Sequence, residues 1–156
     1  MIIRRATADD APVIVKFNRG IASETENLNL DTATVTHGVN TLLGDDNRGF
    51  YLVAETESRI VGQLLITREW SDWRDGYFWW IQSVYIAPEF RKSGIFSRLY
   101  GHARELARTT GNICGLRLYV DSDNIRAQRA YENLGMQQSR YLMYEENFPG
   151  LTQSDK

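Results

Sequence analysis

The sequence predicts an α/β (α+β) fold in which helices flank a single mixed, mostly antiparallel central sheet. One observation is the order of the hydrophobic patterns, β-α-α-β-β-β-α-β-α-β, which combines neighbouring strands with helical crossovers. A second is composition, because 42% of the 156 residues are apolar and can bury a core. A third is that no Pro/Gly/Ser-rich linker interrupts the chain, so we expect one domain over residues 1–156.

The first third of the chain predicts a strand followed by two helices. Residues Met1–Ala6 form the predicted strand, and Thr7 can cap the helix that follows it. Apolar side chains at helical spacing extend this helix over Ala8–Glu24. Asp31 can cap a second helix, which Gly44 ends.

The remaining residues predict most of the sheet and two further helices. Runs of β-branched and aromatic residues indicate three consecutive strands, of which the first two form a hairpin. Helical spacing returns in two later segments, and each ends at a glycine. The predicted segments are the strands Phe50–Ala54, Ile60–Thr67 and Tyr77–Ile86, the helix Ser93–Thr110, the strand Leu116–Val120, the helix Asn124–Leu134 and a final strand Met136–Glu145.

Composition also excludes several classes of protein. The net charge is −2, from 18 Lys and Arg against 20 Asp and Glu, whereas a chain that wraps nucleic acid should be basic. No stretch approaches the roughly 20 apolar residues of a membrane span, and the N-terminus is charged too early for a signal peptide. Two His and one Cys are too few for a Cys/His zinc site. We therefore expect no nucleic-acid partner, no membrane partner and no metal.

The single cysteine bears on both compartment and chemistry. Cys114 cannot form an internal disulfide, which favours a reducing, cytoplasmic environment. It lies just before a predicted strand, and neither His37 nor His102 is linked to it by sequence. We expect a buried structural thiol and not a nucleophile.

The turn after the third strand of this region has the properties of a pyrophosphate-binding loop. Pro88 ends the strand, and the first amides of the next helix have no partner within that helix. Small residues at Ser93 and Gly94 allow backbone N–H groups to approach a ligand, and the helix dipole favours an anion. Arg91 and Lys92 add positive charge at the same place. The alternative is an ordinary strand-to-helix turn with solvated basic residues.

A second segment of interest is Asp123–Met136. Asn124 stands where an acceptor side chain caps a helix. Ala127, Ala130 and Tyr131 share one face of that helix, and the two alanines would let another group approach closely. Tyr131 could therefore place its hydroxyl beside a ligand. The alternative is a core tyrosine on an amphipathic helix.

Together these segments resemble the GNAT superfamily of N-acetyltransferases, which use acetyl-coenzyme A. The family loop Arg/Gln-x-x-Gly-x-Gly/Ala corresponds to Arg91–Phe96, with the first glycine kept and the last small residue replaced by Phe96. The late family motif, an Asn followed by a helix ending Tyr-x-x-Leu-Gly-Phe, corresponds to Asn124 and Tyr131–Met136. The strand Ile81–Ile86 matches the family's fourth strand. The resemblance covers nearly the whole chain and implies a GNAT-like acyl-CoA N-acyltransferase fold.

The resemblance also implies how acetyl-CoA would be held. Backbone groups of Val84 and Ile86 would pair with the pantetheine arm like an added strand, the loop amides would hold the pyrophosphate, and Asn124 would contact the cofactor. Tyr131 would protonate the departing thiolate, since a phenol of pKa about 10 can donate to a thiolate whose conjugate acid has a pKa of about 8.5. The implied cofactor-binding residues are Val84, Tyr85, Ile86, Arg91, Lys92, Ser93, Gly94, Ile95, Phe96, Asn124, Ala127 and Tyr131.

The sequence offers several candidates for the group that takes the proton from the acceptor. Many relatives place a Glu on the fourth strand, where this sequence has Gln82, which cannot act as a base. Glu24 and Glu26 lie where this fold usually forms the rim of the acceptor site. Three carboxylates near the loop before Tyr77–Ile86 could draw the proton off or attract a cation, with a surface position as the alternative: Glu69, Asp72 and Asp75. Four aromatic side chains could line an acceptor pocket or supply cation–π contact, with core or interface packing as the alternative for the last two: Trp70, Trp73, Trp79 and Trp80.

These features predict an acetyl-CoA-dependent N-acetyltransferase that transfers the acetyl group directly to a primary amine of a small molecule or peptide. The thiol is a good leaving group, so no protein nucleophile is required. One alternative is a non-catalytic acyl-CoA-binding sensor of the same fold. Another is the same fold with a longer acyl donor or an oxygen acceptor. A homodimer joined through a sheet edge or through tryptophans is compatible with such a fold.

Overall fold

A computed structural model describes residues 1–150 of the chain. These residues form five strands and four α-helices, with short 3₁₀ turns at Ala8–Asp10 and Pro88–Phe90. The elements are β1 (Ile2–Arg5), α1 (Ala11–Glu26), α2 (Thr32–Leu43), β2 (Gly49–Thr56), β3 (Arg59–Ser71), β4 (Gly76–Ile86), α3 (Ile95–Thr110), β5 (Ile113–Arg117) and α4 (Ile125–Asn133).

The five strands form one sheet in the order β1-β2-β3-β4-β5. The first four are antiparallel neighbours, and β5 runs parallel to β4. The β2–β3 hairpin turns at Glu57 and Ser58, whose φ angles of 48° and 60° are typical of a type I′ turn. The turn pairs Glu55 with Ile60, and a register shift between Ala54 and Glu55 then brings Leu52 opposite Leu64. The predicted mixed, mostly antiparallel sheet is confirmed.

Two adjacent residues of β3 show that α1 and α3 cover opposite faces of the sheet. Gln63 is hydrogen-bonded to Asn18 of α1. A Cβ atom added at Gly62 would lie 3.1 Å from Ile95 of α3 and 2.7 Å from Ile86 of β4. Successive side chains of a strand point to opposite faces, so the two helices lie on opposite sides of β3. Gly62 allows α3 to pack this closely.

Apolar side chains fill the core on both faces. On one side, α1 and α2 pack Ile14 and Val39 with Tyr51 of the sheet. On the other, α3 buries Leu99, which like Ile14 and Leu64 is 0% exposed. Burying one side chain of this size contributes about 1.5–3 kcal/mol. These contacts fix the positions of the strands that carry the candidate site.

Two predictions about the later part of the chain are wrong. The strand expected over Met136–Glu145 is not formed, and the described residues after α4 contain no strand. A strand needs a partner edge as well as β-forming residues, and here Tyr141–Tyr144 are exposed. Cys114, expected to be buried, is exposed. The reason is that β5 begins earlier than predicted, so Cys114 lies within it, at a position where the pleat turns the side chain outward.

The described structure comprises two compact units. The first, Met1–Leu118, contains the whole sheet with α1, α2 and α3. The second begins at Tyr119 and contains α4. Within the part of the chain that the structure describes, no helix is both long and apolar enough to cross a membrane.

Candidate functional site

One edge of β4 is unpaired over its second half. β5 pairs with β4 only along Tyr77–Trp80. Beyond that point, Ile81–Ile86 pairs with β3 on one side, and in residues 1–150 no strand is assigned to the other side. Such an edge presents backbone N–H and C=O groups to an extended ligand. This edge includes Val84, Tyr85 and Ile86, three of the predicted cofactor-binding residues.

A β-bulge lies at the middle of this edge. Gln63 of β3 is opposite Tyr85, but Leu65 is opposite Gln82, so β4 has one extra residue. Ser83 takes a φ angle of 48°, which is uncommon for a residue other than glycine. The bulge changes the direction of the backbone groups that follow Ser83.

A buried polar network supports the bulge from the α1 face. The Gln63 Nε2 donates to the Ser83 carbonyl oxygen at 3.1 Å and to Asn18 Oδ1 at 2.8 Å. Asn18 Nδ2 in turn donates to the Tyr51 hydroxyl oxygen at 3.0 Å. Burial raises the pKa of Tyr51, although hydrogen bonds from Asn18 and Ser83 oppose the shift. This network is not predicted from the sequence, where its one signal is a glutamine within the apolar run Ile60–Ile66.

The turn between β4 and α3 exposes its backbone. Lys92 and Gly94 have left-handed φ angles of 64° and 78°, and α3 begins without a side-chain cap. A Cβ atom at Gly94 would meet no heavy atom within 4 Å, so space is open around it. Ser93 is exposed and donates its hydroxyl to the Phe90 carbonyl.

The first residues of α3 turn inward from this loop. Ile95 is buried, and Phe96 is half-buried, with its ring 6.3 Å from that of Tyr100. The phenylalanine that replaces a small residue of the family loop is thus partly accommodated against α3. Lys92, Ser93 and Gly94 before it are all exposed.

Arg91 connects this turn to α1. Its Nε donates to the Ile86 carbonyl at 2.9 Å, and its Nη2 donates to Glu24 Oε2 at 2.7 Å. The Tyr85 hydroxyl donates to the other oxygen of Glu24 at 2.8 Å. Partial burial alone would raise the pKa of Glu24, but the hydrogen bonds from Tyr85 and Arg91 outweigh it and lower the pKa. Glu24 is therefore held as a carboxylate.

The acidic residues of the β3–β4 hairpin lie far from the bulge. Asp72 and Asp75 are exposed at the hairpin turn, eight residues or more along β4 from Ser83, which is about 26 Å. Glu69 accepts from Trp80 Nε1 at 2.9 Å and from Arg117 at 2.6 Å. The structure does not bring these carboxylates to the β4 edge.

The structure also shows what surrounds the tryptophans and Gln82. Trp79 is 2% exposed and packs edge-to-face on Phe50, which confirms its core alternative. Trp73 is 86% exposed at the hairpin turn, and Trp70 packs edge-to-face with Tyr77. The Gln82 side chain donates to the Thr67 hydroxyl at 2.7 Å.

The second unit holds the remaining predicted residues on α4. Asn124 caps this helix, as predicted, by accepting from the Ala127 amide at 3.1 Å. Tyr131 and Ala127 are half-buried. Burial raises the pKa of Tyr131, so its phenol is protonated at neutral pH. Gly135 ends the segment with a φ angle of 89°, and the Met136 amide closes it on the Tyr131 carbonyl.

Comparison with known proteins agrees with this geometry. The family described as the acetyltransferase (GNAT) family matches residues 19–136. The chain belongs to this family. A crystal structure of a possible acetyltransferase from Clostridium difficile 630 is 44% identical, with a TM-score of 0.90, and the match covers 94% of this chain and 97% of that one. The chain therefore has the GNAT fold and is an acetyl-CoA-dependent acyltransferase.

Two more distant structures share the GNAT fold. One is an aminoglycoside acetyltransferase, meta-AAC0020, from an uncultured soil metagenomic sample in complex with trehalose, at 17% identity and a TM-score of 0.78 over 94% of this chain and 95% of that one. The other is AAC(6')-Iy in complex with a bisubstrate analogue, CoA-S-monomethyl-acetylneamine, at 14% identity and a TM-score of 0.72 over 94% and 98%.

Proposed function

We propose that this GNAT family member transfers the acetyl group of acetyl-CoA directly to a primary amine of a small molecule or peptide, with residues 1–156 acting as one catalytic domain. The observation that carries the proposal is the unpaired edge of β4 over Ile81–Ile86, which leads into the exposed turn before α3. An extended pantetheine arm can pair with such an edge as an added strand does. The amides at the start of α3 favour a phosphate.

The residues of this region fit acetyl-CoA. Residues 84–86 would offer their backbone groups to the arm, and the amides of residues 91–96 would hold the pyrophosphate. Open space around Gly94 leaves room for phosphate oxygens, and exposed Lys92 adds positive charge. Arg91 would contribute its backbone, because its guanidinium is already bonded to Ile86 and Glu24.

Proton transfer to the leaving thiolate is assigned to Tyr131. Acetyl-CoA supplies a thioester with a thiol leaving group, so the amine can attack without a protein nucleophile. The raised pKa of Tyr131 keeps the phenol protonated and able to donate to the sulfur. Asn124 and Ala127, at the start of the same helix, would contact the cofactor.

The acceptor side is assigned to the surroundings of Glu24. The lowered pKa of Glu24 makes it a persistent negative charge and a weak base. Its bond to Tyr85 sets this charge next to the β4 edge. Arg91 balances this charge, so Glu24 would serve an amine acceptor as a hydrogen-bond acceptor. Gln82 cannot take the amine's proton, so water is the proposed proton acceptor.

Binding and turnover together test the proposal against the sensor alternative. Acetyl-CoA at about 100 times its dissociation constant should stabilise the protein by about 2.7 kcal/mol, with NAD as the control ligand. Free-thiol release should then depend on an added primary amine. Binding without thiol release from any amine would favour the sensor. Absence of both would contradict the proposed function.

A cytoplasmic location is proposed because Cys114 is a free, exposed thiol, which suits a reducing compartment. Cell fractionation that recovers the protein in the soluble cytoplasmic fraction would support it. Recovery from an oxidising compartment would contradict it.

A homodimer joined through a sheet edge is the proposed assembly. Tyr141–Tyr144 are β-forming and apolar, yet exposed and outside the strands of the described residues, so this segment is available to pair with a strand edge of a second copy. Light scattering should give twice the chain mass, and exchange of Leu142 for Glu should shift the mass towards the monomer. A monomeric wild type would contradict this assembly.

A further inference from the structure

The side chain of Gln63 is fully buried and incompletely hydrogen-bonded. It is 0% exposed, and both Nε2 hydrogens are used, on Ser83 and Asn18. Its Oε1 atom is buried with no hydrogen-bond partner within the described residues. Because the Ser83 carbonyl can only accept, the glutamine must present Nε2 at this point.

Packing does not account for a glutamine here. A buried polar atom without a partner costs stability, and native proteins contain few of them. The neighbouring buried residues of β3 are aliphatic, among them Val61, Leu64 and Leu65. An amide in this position therefore points to a role for its hydrogen bonds.

The bonded carbonyl belongs to the peptide that joins Ser83 to Val84. In a trans peptide the C=O and N–H groups point in opposite directions. Since Gln63 holds the Ser83 C=O, the Val84 N–H points away from Gln63. The left-handed φ angle of Ser83 is a conformation that its surroundings must hold, and Gln63 supplies one of the bonds that hold it.

We propose that Gln63 is a positioning residue for acetyl transfer, which orients the Ser83–Val84 peptide so that the Val84 N–H donates to the thioester carbonyl oxygen. This inference rests on the proposed function, in which the β4 edge holds acetyl-CoA. As the amine nitrogen bonds to the carbonyl carbon, the C=O π pair moves onto oxygen. The pair returns as the C–S bond breaks, the thiolate gains a proton and the nitrogen loses one. A preset N–H stabilises the charge on oxygen.

Gln63→Met tests the inference, because methionine is similar in length but has no donor. We expect kcat to fall about 10- to 100-fold while the acetyl-CoA dissociation constant changes less than about two-fold. The infrared stretch of the bound ¹³C-labelled thioester carbonyl should lie at lower frequency in the wild type than in the variant. Unchanged kcat and frequency would overturn the inference. Equal loss of affinity and rate would also overturn it, because that result indicates a scaffold role.

Two further variants separate positioning from stability. Ile66→Ala is the matched control, since Ile66 is a 0% exposed residue of the same strand and has no part in the network. It should lower the unfolding temperature and keep kcat. Gln63→Glu can donate only when protonated, so the ratio of its kcat to that of the wild type should rise as pH falls. Tyr51 and Tyr85, near the network, have raised pKa values and stay neutral in this range, whereas Glu24, which accepts from Tyr85, has a lowered pKa and stays ionised.

The failures of the two proposals are distinguishable. A wild type that neither binds acetyl-CoA nor releases thiol overturns the proposed function and this inference with it. An active wild type whose Gln63→Met and Gln63→Glu variants match it in rate, pH profile and carbonyl frequency overturns this inference alone.

Discussion

Glu24 shows how one side chain connects two parts of the candidate site. Its carboxylate accepts hydrogen bonds from Tyr85 on β4 and from Arg91 on the turn before α3. The sequence predicted Glu24 only by its place at the end of a helix and Arg91 only as part of a loop. Their contact joins residues 67 positions apart, which no local pattern encodes.

Replacement of Tyr131 by Phe tests the proton donor. The variant keeps the ring and its packing but loses the hydroxyl, so acetyl-CoA affinity should be retained. We expect kcat to fall on the order of 10²-fold, the usual contribution of general acid catalysis. Steady-state kinetics and calorimetric titration measure the two quantities. An unchanged kcat would show that another group protonates the thiolate.

The carboxylate of Asp10 gives a prediction about pH and stability. Hydrogen bonds from Arg4, at 2.8 and 3.0 Å, lower the pKa of Asp10; partial burial opposes this, and a bond from the Thr7 amide adds to it. The folded pKa lies below the unfolded value of about 3.9. The stabilisation is thus present above that pH and is lost as pH falls through the folded pKa.

Asp10→Asn should therefore remove this pH dependence. At pH 7 we expect the free energy of unfolding to fall by about 1–2 kcal/mol, because part of the pair is solvent-screened. Below about pH 4, the wild type should lose its advantage over the variant. Urea unfolding at several pH values measures both effects. Parallel pH profiles would mean that Asp10 does not contribute in this way.

At the scale of elements, periodicity located the helices and most strands. β4 was expected over Tyr77–Ile86 and is observed over Gly76–Ile86, since its aromatic and β-branched residues pack on both neighbours. The bulge within it could not be predicted. It arises from the register in which Gln63 meets Tyr85 and Leu65 meets Gln82, and register depends on the partner strand.

Replacement of Gly94 tests whether the turn before α3 binds acetyl-CoA. Its φ angle of 78° costs a residue with a side chain about 1–2 kcal/mol, although no atom would clash with its Cβ. Gly94→Val should shift the turn and weaken acetyl-CoA binding about 5- to 30-fold. Gly101→Val within α3, where a Cβ also meets nothing within 4 Å, is the matched control. Equal affinity in both variants would argue against a phosphate site at this turn.

For the whole molecule, local patterns predicted the sheet and its flanking helices but not every edge. The segment Met136–Glu145 has the composition of a strand, yet the described chain gives it no strand partner. Cys114 was placed outside β5 because the strand's start was set by Leu116 and not by Ile113. Both errors concern whether or where a strand begins, which depends on pairing with residues distant in the sequence.

The family and fold explain why the molecule exposes one strand edge beside one helix start. The first unit combines a covered core with an unpaired half of β4, a surface that a folded domain normally avoids. In the proposed function, this edge is retained because a ligand pairs with it. We propose that this ligand is acetyl-CoA and that its acetyl group passes to an amine.

The most direct measurement supplies carbonyl-¹³C acetyl-CoA with a panel of primary amines and follows the label by mass spectrometry and NMR. The account predicts an acetamide that carries the label, formed in step with free thiol and strongly reduced in Tyr131→Phe. Thiol release without labelled amide, or cofactor binding without either product, would contradict it.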